Sequence, residues 1–214
     1  MLGSVYSKLV KRFDILAKLY TDDYTKITGF GIRRYHRLHA LEGLLSNTWQ
    51  SWCGFCQQCI FLSCSGTETM TGLHTTQRMS IGSVGRLAYI IKQVHFSKSI
   101  KPGKELSYYN YPTWGDQNLL ISAVEYIKPD NEQALLNGLN LEYPASDHSR
   151  IVRNASAHLS KFRLLEVERL KIHYQGRVFR HPLDLITWQD KSSQEPAFLV
   201  WLEDLREIAE SMVQ

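Results

Sequence analysis

The chain has 214 residues, 43% of them hydrophobic, which is enough to bury a sizeable core without metal or disulfide staples. At roughly 150 residues per domain this length corresponds to one domain, or to one domain with additions. The net charge of +4 and pI near 8.8 permit a polyanionic partner, and no run approaches the roughly 18 apolar residues of a membrane-spanning helix.

The N-terminal stretch is interrupted by Lys8, Lys11, Arg12 and Asp14, so it lacks the apolar core of a signal peptide. The four cysteines form one cluster rather than a dispersed framework, which fits a reducing cytoplasm. The first predicted element spans 4–20, with Val5, Leu9, Phe13, Leu16 and Leu19 at helical spacing. Residues 21–31, with Asp22, Asp23, Gly29 and Gly31, read as a connection. A long helix over 33–64 follows, its apolar stripe running from Leu38 and Leu41 through Trp49 and Trp52 to Phe55 and Cys56, and Gly66 is a natural stop. Its first turns carry Arg33, Arg34 and Arg37, against the helix macrodipole, which suits a solvated face or a phosphate contact.

Residues 65–80, rich in Thr, Ser, Gly and Met, form the longest stretch without periodicity, as expected of a lid or docking loop. A helix over 83–95 then buries Leu87, Ile90, Ile91 and Val94. The connector 96–114 gathers Tyr108, Tyr109 and Tyr111, a cluster suited either to base stacking or to packing beneath a loop. Helices over 116–127 and from Pro129 and Asp130 through Leu136, ended by Gly138, lead towards a helix at 147–170. An extended piece over 172–180, a turn at His181, Pro182 and Leu183, and a closing helix over 195–212 complete an all-α helical bundle read as a single domain.

Chemistry concentrates in 146–163. Ser146 or Asp147 is placed to cap the helix. Arg150, Asn154 and His158, four apart, drift about 40° per step and form one stripe flanked by Arg153. Ile151, Val152, Ala155, Leu159 and Phe162 remain to face a core. Lys161, Arg163, Arg169 and Lys171 follow, against Glu166 and Glu168, so the local field is positive.

Arg153, Asn154 and His158, in R-N-A-S-A-H, resemble the R-N-x-x-x-H motif of HEPN-domain proteins, all-α domains that include many metal-independent ribonucleases. The resemblance covers the motif helix and its all-helical context, about a third of the chain. It implies RNA as substrate, no metal and no cofactor. Catalysis falls to Arg153 and His158 with Asn154 in support, and Arg150, Lys161 and His148 serve substrate binding. A homodimer through the motif helix, an antitoxin or another defence-system protein as partner, and a toxin or anti-phage role complete what it implies.

The residue types suit that reaction. Metal-free RNA cleavage deprotonates the 2′-hydroxyl, protonates the leaving 5′-oxygen and stabilises charge on phosphorus. Imidazole titrates near cellular pH, a guanidinium fork matches two phosphate oxygens, and Asn154 lies one turn before His158. One helix offers one motif histidine, so a two-fold pair supplies the second proton carrier. Asp147 and His148 at the helix start are further candidate participants. The plainer reading pairs Arg153 with Glu142, Asp147 or Glu166 in an ordinary helix surface.

A non-catalytic HEPN-like module that binds RNA or protein is the second reading. The third is a metal or redox protein built on Cys53, Cys56, Cys59 and Cys64. Their spacing mimics the start of a ferredoxin cluster loop, but four residues precede the last cysteine and no proline follows it. On a helix the four sulfurs share a face of roughly 140°, as buried small hydrophobes do. His36, His39 and Glu42 lack the spacing of a zinc helix, and no phosphate loop or serine elbow occurs.

Overall fold

A computed structural model describes residues 1–28, 34–175, 179–189, 191 and 194–214. Gly29, Gly31, Arg33 and Gly176, which the sequence assigns to a connection, a helix start and an extended piece, lie outside the described residues; of the connection read over 21–31, residues 21–28 continue the first helix, and the extended piece begins as a 3-10 turn. Within them the architecture is all α: α1 Leu2–Thr28, α2 Arg34–Ser65, α3 Val84–His95, α4 Gln117–Ile127, α5 Glu132–Leu139, α6 Ala145–Ala157, α7 Lys161–Leu170 and α8 Ala197–Met212. Three 3-10 turns, Tyr108–Asn110, Lys171–Tyr174 and Pro182–Thr187, join them, and among the described residues there are isolated bridges but no strands.

The contacts divide into two compact units. The first holds Met1–Val10, Trp52–Glu142 and Arg206–Gln214; the second holds Lys11–Ser51 and Tyr143–Leu205.

In the first unit Leu87, Ala88, Ile90 and Ile91 of α3 are buried, as are Leu120, Ala123 and Val124 of α4, and the two helices pack on each other. Ser83 caps α3 by accepting from the Arg86 N–H at 3.0 Å, and Asp116 caps α4 by accepting from the Leu119 N–H at 3.3 Å. Gly66, at φ +99, ends α2 in the conformation glycine adopts without penalty. Gly138, by contrast, does not end α5, which continues through Leu139. A Cβ there would stand 2.6 Å from Met212 Cγ and 2.7 Å from the Ile208 carbonyl oxygen, so glycine permits α8 to approach. Gly138→Ala is therefore expected to lower stability by about 2 kcal/mol through overpacking, read as a reduced urea midpoint.

The segment 65–80 is not an unattached lid. Asp130 accepts from the Thr76 N–H at 2.6 Å and from the Thr76 hydroxyl at 2.7 Å, and pairs with Arg78. Leu2 donates to the Glu68 carbonyl at 2.9 Å and Met70 to the Val213 carbonyl at 2.8 Å. Local Thr and Asp bonding replaces apolar periodicity here, which is why the stretch lacks a helical pattern yet has a fixed course.

In the second unit Phe13, Leu16 and Tyr20 of α1 are buried, whereas Leu19 is exposed. The stripe continues from Leu16 by four residues instead of three, and Tyr20 stacks on Phe198 with ring centroids 5.0 Å apart. The largest departure from the sequence reading is at the motif. A single helix over 147–170 is replaced by α6 and α7, with His158, Leu159 and Ser160 between them.

Candidate functional site

Three local bonds explain the break. His158 has φ −136 and ψ 80, outside the helical range, although its N–H still donates to the Asn154 carbonyl. The Ser160 N–H then donates to the His158 carbonyl at 2.7 Å, and the Ser160 side chain accepts from the Arg163 N–H at 3.3 Å. Ser160 is thus a new N-cap that resets the helical register. Neither Ser146 nor Asp147 caps α6. Pro144 occupies the N-cap position without a side-chain bond, Ser146 is buried, and Asp147 sits in the first turn, where a carboxylate suits the macrodipole.

Two consequences follow for the motif. The stripe Arg150, Asn154, His158 does not run down one helix face, because His158 has left the helix. Leu159 and Phe162 do not reach the core assigned to them: they are 63% and 64% exposed, while Val152 and Ala155 are buried.

The cations near the motif differ in how far they are satisfied. Arg150 pairs with Asp147 at 2.9 Å and Arg163 with Glu166 at 2.7 Å. Those were two of the three carboxylates open to Arg153; the third, Glu142, belongs to the other unit. Among the described residues Arg153 has no carboxylate partner; its guanidinium donates instead to the Asn154 side-chain oxygen at 3.1 Å. This bond turns Asn154 towards Arg153 and not towards the His158 ring. His158 is exposed, and so is Lys161, with no ion pair among the described residues. A half-buried guanidinium with unused donors, an exposed imidazole and an exposed ammonium therefore lie within nine residues of chain, residue types of which the first and last can hold a phosphate and the second can move a proton.

His148 is placed elsewhere than a substrate-binding role requires. It is 4% exposed, its Nδ1 is 2.6 Å from the Tyr174 hydroxyl, and Trp201 donates its indole N–H to that same oxygen at 3.1 Å. Because the indole can only donate, the Tyr174 oxygen keeps its own proton and a second lone pair, so it can donate to or accept from His148 Nδ1 according to the tautomer of the ring. Burial, reinforced by neighbouring His173 and opposed by Asp147, pulls its pKa down to about 4. Burial also raises the Tyr174 pKa above its ordinary value. His148 is the polar pin that seats α6 in its unit. A signal for this existed in the sequence: Ala145, His148, Val152 and Ala155 share one stripe at spacings of three and four.

The cysteine helix is packed as small hydrophobes pack. Cys56, Cys59 and Cys64 are buried while Cys53 is half-buried, and burial raises the Cys64 thiol to about 12 and also raises Cys56 and Cys59. Protonated thiols are poor ligands and nucleophiles. Among the described residues no group of three or more His, Cys, Asp or Glu side chains is arranged to hold a metal. His36 and His39 are exposed beside the Tyr35 ring, and Arg37 is not free on a basic face but donates to Thr187 Oγ1 at 3.3 Å, near Asp184.

Beside α7 lies a cavity of about 340 Å³ whose lining includes Leu164, Val167, Lys171, Phe179 and Arg180 and none of the three motif residues. No helix among the described residues is long and apolar enough to cross a membrane. No family of known proteins, no curated protein and no solved structure matches this chain.

Proposed function

We propose that the chain is a metal-independent endoribonuclease in which His158 transfers protons, Arg153 holds the scissile phosphate and Asn154 orients Arg153. The observation that carries the reading is the contrast between Arg153, without a carboxylate, and its neighbours Arg150 and Arg163, each with one. Attack of the 2′-hydroxyl on phosphorus breaks the bond to the 5′-oxygen, leaving a 2′,3′-cyclic phosphate and a 5′-hydroxyl. Metal independence and a toxin or anti-phage role held in check by an antitoxin rest on the HEPN resemblance alone, and a cytoplasmic location rests on the clustered cysteines.

A homodimer belongs to the proposal because one motif histidine cannot be acid and base at once. It draws support from α7 and its flanks, where Leu159, Phe162, Leu165 and Ile172 are 63%, 64%, 46% and 78% exposed. An apolar stripe of this kind, directly after His158, suits burial against a second copy. Phe162→Glu is expected to convert a dimer to a monomer in light scattering and to remove cleavage while leaving the circular dichroism spectrum unchanged. A cleaving monomer would sink the two-copy site.

A second reading is favoured by one detail. Asn154 bonds to Arg153, and among the described residues the His158 ring has no orienting partner, as suits a module that binds RNA or protein without cutting it. Incubating a mixed tRNA and messenger RNA pool with the protein in EDTA separates the two. Cyclic-phosphate ends made by the wild type and not by His158→Ala support the nuclease; intact RNA with both, retained on the protein, supports the binding module.

A further inference from the structure

The tyrosine cluster of the first unit divides in two. Tyr111 packs inward, its ring 6.1 Å from that of the buried Trp114 and perpendicular to it. Tyr108 and Tyr109 face outward at 78% and 93% exposure, their centroids 6.0 Å apart, with Tyr108 also 5.6 Å from Tyr111. Tyr109 therefore buries almost nothing, and packing does not account for it.

The rings nevertheless stand on a fixed base. Arg86 of α3 donates to the Lys101 and Lys104 carbonyls at 2.7 and 3.0 Å, and the Lys101 N–H donates to the Tyr89 hydroxyl at 3.1 Å. The Leu106 N–H donates to the Gly85 carbonyl at 3.0 Å, and a Cβ on Gly85 would come within 2.8 Å of the Leu106 oxygen. Beyond the rings, the Trp52 indole donates to the Gly115 carbonyl at 3.3 Å. Exposed aromatics anchored on both sides lose little entropy when they bind.

The surroundings indicate the partner. Segment 96–110 carries Lys98, Lys101 and Lys104 against the single carboxylate Glu105, all exposed and without ion pairs among the described residues, the Lys98 ammonium standing 5.5 Å over the Phe96 ring. Along the chain Tyr108 and Tyr109 are flanked by Lys104, Ser107 and Asn110, whereas the exposed apolar residues on and beside α7 are Leu, Phe and Ile. Exposed rings in a lysine-rich segment fit a polyanion with π-faces; exposed aliphatics fit a protein. We propose that Tyr108 and Tyr109, with Lys98, Lys101 and Lys104, form a stacking platform for single-stranded RNA on the first unit, made of residues other than Arg153 and His158. The choice of RNA rests on the ribonuclease reading; the platform itself does not.

The test measures affinity for a labelled 12-nucleotide oligouridylate and for an RNA duplex of equal length, in EDTA. Full-length His158→Ala protein serves as parent, so the result does not depend on whether the chain cuts. The expected result is tighter binding of the single strand, by about tenfold or more, because paired bases cannot stack on a side chain. Tyr109→Ala and Tyr109→Leu should each weaken it about tenfold while Tyr109→Phe does not, since stacking needs a ring and not a hydroxyl. Replacing all three lysines by glutamine should lower the slope of log affinity against log salt by about 2. Equal affinity for duplex, or Tyr109→Ala or Tyr109→Leu binding as well as the parent, overturns the platform. Binding that depends on Tyr109 in a protein whose wild type leaves RNA intact keeps the platform and removes the nuclease.

Discussion

His158→Ala is expected to reduce cleavage about 10³-fold or more without loss of fold. General acid–base groups contribute roughly 10² to 10⁴, and a two-copy site loses both proton carriers at once. The fold survives because the side chain is exposed and makes no hydrogen bond among the described residues. The backbone N–H that closes α6 on Asn154 is untouched, so the stability change should stay within about 0.5 kcal/mol. Arg153→Ala should cost about 10² to 10³ in rate through lost phosphate stabilisation. Arg153→Lys should restore little, because an ammonium lacks the planar fork that holds Asn154 and two phosphate oxygens together. Initial rates on a defined oligoribonucleotide, alongside thermal melts, check all three. Unaltered cleavage by His158→Ala removes that residue from the chemistry. A collapsed melt would instead place it in the fold.

The helices were legible in the sequence because their apolar spacing and their punctuation agree. Ser83, Asp116 and Gly66 do what their residue types suggest, and the stripe from Leu41 to Cys56 is buried as its period requires. The motif was legible only in part. Nothing in apolar periodicity forbids a helix from 147 to 170; it is Ser160, bonding the Arg163 N–H, that divides it. One serine of three in the stretch, beside Ser149 and Ser156, is a weak signal until its bond is seen. The same reset sends Leu159 and Phe162 outward, converting expected core into exposed surface. His148 was misplaced for a different reason. A histidine beside Asp147 and Arg150 looks like surface chemistry, and only Tyr174 and Trp201, distant in sequence, supply the polar partners that make its burial tolerable. Arg153's lack of a carboxylate was equally invisible, because it depends on Asp147 and Glu166 having chosen other arginines.

The burial of His148 has a consequence that pH can expose. The ring titrates near 4 in the folded chain and near 6.5 when unfolded, so the unfolded state binds the extra proton throughout the interval between. Above pH 6.5 both states are neutral there and stability is undiminished; as pH falls towards 4 the loss from this residue reaches about 3 kcal/mol, then levels off. Around it, Asp147 favours the charged ring, while exposed His173, with its ring 4.9 Å away, opposes it. His148→Gln removes the titration and retains an oxygen able to accept from Tyr174. Its urea midpoint should fall modestly at pH 7.5 and should decline far less than the wild type's between pH 6.5 and 4.5. Tyr174→Phe should be worse at pH 7.5, by about 2 kcal/mol, because it strands both His148 Nδ1 and the Trp201 N–H in the core. Equal pH slopes for wild type and His148→Gln, or a titration of His148 near 6.5 by nuclear magnetic resonance, would show that the pin is wet. The seat of α6, and with it the position of Arg153, would then need another anchor.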